Sequence, residues 1–399
     1  MKITEIILQI NKVTMDFFQH RYYRINKMLL TTIGQWPYQS TRAKYSLFAV
    51  QVVVTASLGL PQLMAFVKYI DDWEFLLESA SPFIFELALI VKVLFSIWNS
   101  QKMLILFNHI RDDWNAWGHQ EEIKIIHEYA EQGRKMTIMY TAVHIYADLS
   151  MLLFCYDNVV MVIIDMTLKN GSKPGELSIP VYYYNLDMQK YYFYISMHCF
   201  VCVSVGAFVT IAIDSRLIIF VQHGCGLFAA VGYVKNIAFF KIPRYIVYFV
   251  IPLSCIKGHN DAIEYTKLIE TIYSWCFFFL VGCNMLIISV VGIQILKRAN
   301  DPGENTRFIV FLVANMAHLY MENYMSQILM DHSIDIRCAV HNGKWYRLSQ
   351  RAQKLLILMT MRCNVPCELT IGKISSLSFK SFMTILQASM SYFTLLRSV

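Results

Sequence analysis

The chain has 399 residues, of which 56% are hydrophobic and 16% charged, with 35 Lys and Arg against 28 Asp and Glu and a mean hydropathy of +0.42. This balance excludes an ordinary soluble domain and points to a protein whose partner is the lipid bilayer. No nucleic-acid partner is expected.

Met1 to Tyr45 is basic and broken by polar residues, so no signal peptide is expected and the amino end stays in the cytosol. Apolar stretches then read as membrane spans at 46–67, 82–98, 136–164, 191–213, 271–296, 308–330 and 381–396. The second and the last are short for a bilayer that needs about 20 residues. With the N-terminus inside, the inner segments hold 23 Lys and Arg and the outer segments 8, the bias expected of cytoplasmic loops. The expected fold class is all-α, a single seven-transmembrane helical membrane protein over 1–399, with a cytoplasmic N-terminus and an extracellular C-terminus. The N-x-S/T sequon at Asn170 falls in the predicted external loop and makes Asn170 a glycosylation candidate.

Along the chain, each ionisable group within a span needs a physical reason. In the second span Glu86 and Lys92 stand too far apart for an intrahelical pair, so each is expected to meet another helix or reach an interface. The charged segment from Asn99 to Lys135 carries Met103, Leu106, Ile110, Trp114 and Trp117 at helical spacing. It reads as cytoplasmic extensions of spans two and three, joined near Gly118. In the third span His144 and Asp148 share a face, as a buried hydrogen-bonded pair or as polar points in a ligand cavity, with Asp157 nearer the outer end.

The external loop from Asp165 to Lys190 holds Gly171, Pro174, Gly175 and Pro180 followed by Tyr182, Tyr183 and Tyr184. The tyrosines either cap a cavity or form an interfacial aromatic belt. The long segment from Asp214 to Glu270 adds to an inner anchor layer of helices where subunits can meet. Its apolar run from Tyr245 to Ile256 is too short to span and reads as buried or interfacial. His318 and Glu322 repeat the His-acid spacing in span six.

The outer halves of spans two, three and four supply Phe83, Leu87, Met151, Leu152, Tyr194, Met197 and Phe200. With Asp148, they are the candidate lining for a small, mostly apolar ligand bearing one or two polar groups. None of the ten cysteines lies in a predicted external loop, so no stapled ectodomain is expected. Cys363 and Cys367 lack the further ligands that a metal site would need at suitable spacing.

In the last span Thr384, Gln387, Ser391, Thr394 and Ser398 fall within an arc of roughly 80° at 100° per residue. This seam either lines a water-filled path or packs against neighbouring helices. The common nucleotide, metalloprotease and hydrolase signatures are absent. A signalling or conducting protein, not an enzyme and without a cofactor, is the favoured class.

From Ser333 onward the chain resembles the C-terminal signature of insect odorant receptors. The matching positions are Trp345, Tyr346, the run Lys354 to Leu358, Arg362, Pro366, Leu369, Thr370, Gly372, Lys373, Leu377, Ser378, Phe382, Ser389 and the run Ser391 to Arg397. Weaker family-like stretches include Gly34 to Tyr38, Lys92, Asp113-Trp114, Asp214 to His223, and His259 leading to Glu264. The resemblance implies a seven-span subunit that assembles as a hetero-tetramer with the shared odorant co-receptor. It also implies a cation channel gated by small volatile odorants in the plasma membrane of olfactory sensory neuron dendrites. Carried over on the Tyr-Phe pair, the family's pore constriction falls on Leu395, with Ser398 one turn further out, and its ligand pocket falls among spans two to six. The chain lacks the co-receptor's longer cytoplasmic loop and its ending, which implies a ligand-tuning receptor. His341 stands where the family usually has a Tyr, and the run Tyr245 to Ile256 is unlike the usual polar helix. A gustatory receptor, the sister class, typically ends T-Y-x5-Q-F, unlike this chain. A G-protein-coupled receptor would need an external N-terminus and usually carries D-R-Y and N-P-x-x-Y, neither of which occurs.

Overall fold

Twenty or more consecutive backbone groups in hydrocarbon can be satisfied only within a helix or a closed barrel, and apolar runs of that length dominate this chain. The computed structural model describes residues 17–117, 123–168, 179–183, 186–187, 190–241, 244–298, 302–342 and 345–398. Among the described residues the chain is helical apart from one short β-hairpin. The helices are α1 (Arg24–Thr32), α2 (Thr41–Lys68), α3 (Trp73–Trp98), α4 (Ser100–Trp117), α5 (Ile123–Leu168), α6 (Tyr192–Lys241), α7 (Arg244–Lys297), α8 (Pro302–Asn342), α9 (Gln350–Arg362) and α10 (Phe379–Ser398). The hairpin pairs β1 (Thr370–Ile371) with β2 (Ser375–Ser376) in antiparallel register, Thr370 opposite Ser376.

The predicted spans fall within α2, α3, α5, α6, α7, α8 and α10. Thr41–Lys68, Trp73–Trp98, Tyr192–Gly232 and Ser254–Lys297 are long and apolar enough to cross a membrane by length and composition. α3 starts well before the predicted Pro82, which sits inside the helix. Its first turn is capped by Asp72, whose carboxylate accepts from the N–H groups of Glu74 and Phe75 at 3.1 Å. This exposed start carries Glu74 and Glu78, which pair with Lys297 and Arg298 at the end of α7.

α6 is the hub, packed against α1, α2, α3, α5, α7 and α8, while α10 lies on α7 and α8. The tightest core is at the basic end of the bundle, where Phe18, Trp36, Phe107 and Phe220 meet edge to face. There the buried Arg216 guanidinium donates to Gln35 Oε1 at 3.1 Å and to Ser96 Oγ at 2.9 Å. Asn26 on α1 donates to Thr137 Oγ1 and to the Ser215 carbonyl, each at 3.0 Å. The outer face of α2 leaves Val50, Val53, Leu60 and Val67 exposed, an inversion suited to hydrocarbon surroundings.

α4, the first turns of α5 and the joined ends of α6 and α7 extend the bundle at this end, as the long charged segments anticipate. α7 passes through the run from Tyr245 to Ile256, most of whose side chains lie outside the described residues. Gly118, Asn170, Gly171, Pro174, Gly175 and Tyr184 also lie outside them.

Candidate ligand cavity and polar seam

Six helices and one loop line a cavity of about 150 Å³. α2 contributes Thr55, Leu58 and Gln62, α3 contributes Phe85, Glu86, Leu89 and Lys92, and α5 contributes His144, Ala147 and Asp148. Cys202 to Thr210 on α6, Leu280 to Ile287 on α7 and Arg307 to His318 on α8 supply further lining residues. Gly206 eases the close approach of α6 to α3, because a Cβ there would stand 3.1 Å from Leu89 Cδ2. A void of about 150 Å³ takes a benzene-sized body, which sets the scale of an occupant.

Ile179 and Pro180 close the cavity from the loop before α6. Their strand of chain is pinned where the Tyr182 N–H donates to the Pro61 carbonyl at 3.1 Å, and Lys68 Nζ sits 3.6 Å above the Tyr182 ring. Tyr183 Oη lies 2.7 Å from His198 Nδ1, and His198 Nε2 lies 3.0 Å from Ser57 Oγ. Two of the predicted tyrosines therefore brace the cap rather than cover the cavity themselves.

The floor is ionic. Lys92 Nζ is 2.5 Å from Asp214 Oδ1 and 2.6 Å from His318 Nε2, and Tyr140 Oη donates to Asp214 Oδ2 at 2.6 Å. Glu322 Oε1 stands 3.4 Å from His318 Nε2. Asp214, His318 and Glu322 group closely enough to ligate a metal, but the Lys92 ammonium occupies their midst and supplies the countercharge. The cluster thus joins α3, α5, α6 and α8 without an ion, and explains why Lys92 is tolerated at membrane depth.

Of the predicted lining, Asp148 faces the cavity. Leu87, Tyr194 and Met197 are exposed on the outside of the bundle. Phe83 lies against Phe66 with ring centroids 5.1 Å apart, and Leu152 and Phe200 are half-buried away from the lining. The side chains of Met151 and Asp157 lie outside those described. The physical reason is the membrane's reversal of helix polarity: large apolar side chains face outward, and polar ones mark the inner face. On α3 the buried positions include Ser79, Ser81, Glu86, Lys92 and Ser96, a pattern that is readable in the sequence once polar rather than apolar positions are followed. His144 and Asp148 both face the cavity, and among the described residues no hydrogen bond joins them.

On α10, Thr384, Gln387, Ser391, Thr394 and Leu395 are all exposed, while the Ser398 side chain lies outside those described. Thr384 donates to the Lys380 carbonyl, Ser391 to that of Gln387 and Thr394 to that of Ser391. The opposite face is buried: Ser289 Oγ on α7 donates to the Ser389 carbonyl at 2.8 Å, and Phe393 lies against Gly292. The seam therefore does not pack against this chain's own helices. Cys363 Sγ lies 3.7 Å from His259 Nε2 in the core, and the Cys367 N–H donates to Ser333 Oγ.

A helical bundle with an apolar exterior, membrane-length helices and an internal cavity fits a multi-pass membrane protein. The profile of the 7tm Odorant receptor family matches residues 72–390, and the chain belongs to that family. It is 21% identical to odorant receptor Or2 of Anopheles gambiae over 384 residues, covering 91% of this chain and 95% of that one. It is 22% identical to odorant receptor 10 of Aedes albopictus over 148 residues, covering 37% of this chain and 39% of the relative. Its fold is similar to that of the insect olfactory receptor OR5 from Machilis hrabei in complex with eugenol, with a TM-score of 0.76, 11% identity and coverage of 96% and 98% of the two chains. The protein is an odorant receptor, a ligand-binding membrane protein rather than an enzyme.

Proposed function

We propose that this chain is the ligand-tuning subunit of an odorant-gated cation channel. A small, mostly apolar volatile molecule seats in the cavity among α2, α3 and α5 to α8. This chain and the shared odorant co-receptor assemble as a hetero-tetramer, which brings the α10 helices of its subunits around a common pore. The N-terminus is cytoplasmic and the C-terminus extracellular, in the plasma membrane of olfactory sensory neuron dendrites, with Asn170 a glycosylation candidate on the outer side. The observation that carries this reading is the cavity at the meeting of six helices, apolar over most of its wall. The solved Machilis receptor holds eugenol, a ligand of the same broad class.

The exposed seam of Thr384, Gln387, Ser391 and Thr394 supports the pore reading, with Leu395 as the collar and Ser398 beyond it. An odorant opens the channel only if it binds one packing of the bundle more tightly than the other. The α7 face that holds α10 through Ser289 and Gly292 is the same helix that lines the cavity with Leu280, Asn284 and Ile287, so ligand and gate share one rigid element.

Current recording from cells expressing this chain with the co-receptor, challenged with an odorant panel, tests the reading. Evoked currents are expected, and they should be lost in Ala147→Trp and, independently, in Ala314→Phe, which fill the cavity. Undiminished currents in both variants would remove the cavity from the mechanism. An epitope tag at the N-terminus accessible from outside intact cells would overturn the orientation.

A further inference from the structure

Two carboxyl groups and one amide stand in the cavity without the partners that burial demands. Glu86 is 7% exposed and Gln62 1% exposed, and Asp148 faces the same space from α5. Neither amide atom of Gln62 has a hydrogen-bond partner. Among the described residues no Lys, Arg or His lies within ion-pairing distance of Glu86 or Asp148. Such groups are normally paired, because an isolated buried carboxylate is costly and a buried amide without bonds costs its full desolvation.

The basic residues of the cavity wall are Lys92, His144, Arg307 and His318, and among the described residues none is paired with Glu86 or Asp148. Lys92 is held by Asp214 and His318 at the floor, and it stands six residues from Glu86, about 9 Å along the α3 axis. Arg307 lies eleven residues from His318, about 16 Å along α8, with its guanidinium 4.5 Å from the Phe308 ring. Glu86 has neither cation within ion-pairing distance. Its Oε1 lies against Gly59, 3.5 Å from where a Cβ would be, and Gly59 and Gln62 share a face of α2 at i and i+3. The carboxyl and the bare amide thus belong to one corner of the cavity, with Leu58, Phe85 and Leu89 as the neighbouring apolar wall.

From this corner we propose that the cavity selects a small organic amine. The ammonium group supplies the countercharge that Glu86 lacks, Gln62 Oε1 and Asp148 offer further acceptors, and a benzene-sized body fills the apolar part. A hydrocarbon of the same shape satisfies none of these groups, and an alcohol brings a single O–H without charge. The inference deepens the reading of this cavity as the odorant site and rests on it.

The test is current recording from cells co-expressing the chain with the co-receptor, using benzylamine, benzyl alcohol and toluene as matched probes. Benzylamine is expected to be more potent than benzyl alcohol by about tenfold or more, the low end of coupling between close charge pairs. Glu86→Gln should abolish that preference and Asp148→Asn should reduce it, each read as the ratio of benzylamine to benzyl alcohol potency within the same variant. A wild-type channel that ranks benzylamine no higher than benzyl alcohol overturns the proposal without any variant. So does an equal shift of all three probes in Glu86→Gln. If Ala147→Trp abolishes the responses while benzylamine shows no preference, the amine assignment alone fails. If the probes act undiminished in both Ala147→Trp and Ala314→Phe, the cavity reading fails with it.

Discussion

Lys92 Nζ lies 2.5 Å and 2.7 Å from the two carboxylate oxygens of Asp214, so that a single ion pair ties α3 to α6 beneath the cavity. Removing one partner leaves the other charged and buried, at a cost of about 3–5 kcal/mol. Lys92→Met and Asp214→Asn are each expected to lower the thermal midpoint of the purified protein strongly. The double variant should lose less than the sum of the two, because neither member of the pair is then left without the other. Strict additivity in this cycle, read by intrinsic tryptophan fluorescence, would show that the two groups do not interact.

A second expectation concerns the turn before α10. Gly372 has φ +59°, and a Cβ there would stand 3.0 Å from Phe278 Cδ2. Gly372→Ala is expected to cost about 1–2 kcal/mol from the left-handed conformation alone, and more from the contact. Gly282, in the interior of α7, has no atom within 4 Å of a Cβ position, so Gly282→Ala should stabilise by about 0.5–1 kcal/mol. Opposite signs in one thermal assay are the expected outcome, and a loss in both would contradict the geometry.

The helices were legible in the sequence because long apolar runs can satisfy their backbone in hydrocarbon only as helices, although α5 to α8 run well past the length that one bilayer crossing needs. Helix phase was not legible by the same route. In a soluble protein Leu87, Tyr194 and Met197 would be core candidates, whereas here they face outward and Glu86 and Lys92 face inward. The partners of Lys92 come from residues 214 and 318, and no local spacing links those three positions. Ile179 and Pro180 in the cap carry no periodicity that could assign them to the cavity. The seam of α10 was legible because its five residues share one short helix; its exposure needed the packing of α7 to decide it.

The cap offers a kinetic prediction. Tyr183 Oη meets His198 Nδ1 at 2.7 Å, and His198 Nε2 reaches Ser57, so one imidazole joins the loop, α2 and α6. Tyr183→Phe keeps the ring and removes this tie, worth about 0.5–1.5 kcal/mol. Current decay after odorant washout should become faster by severalfold, with surface density unchanged. An unaltered decay would mean that the cap does not limit ligand exit.

At the basic end, His127 Nδ1 lies 3.1 Å from Tyr22 Oη. Burial holds the His127 pKa below its usual value, and His20 and Arg21 lower it further. A base with a depressed folded pKa binds more protons when unfolded, so its contribution to stability is present above the unfolded pKa of about 6.5 and is lost as pH falls through the folded value. Amide protection around Ile126 should therefore drop on acidification below about pH 6.5. Replacing His127 with Phe should flatten that dependence, and an identical pH profile in the variant would assign the effect to another group.

The last prediction returns to Leu395, whose side chain is 60% exposed near the end of α10. The fold of a single chain barely depends on such a residue, and an exposed substitution changes stability by no more than about 0.5 kcal/mol. Leu395→Ser is therefore expected to reach the surface at wild-type density. A collar residue, however, holds back water and ions where several subunits meet, so the same change should raise ligand-independent current when the co-receptor is present. Ile385→Ser, on the buried face of α10, should do the reverse, lowering surface density through lost packing without a gain in basal current. Equal basal currents in Leu395→Ser and the wild type would mean that the ion path is closed by other residues of the assembly.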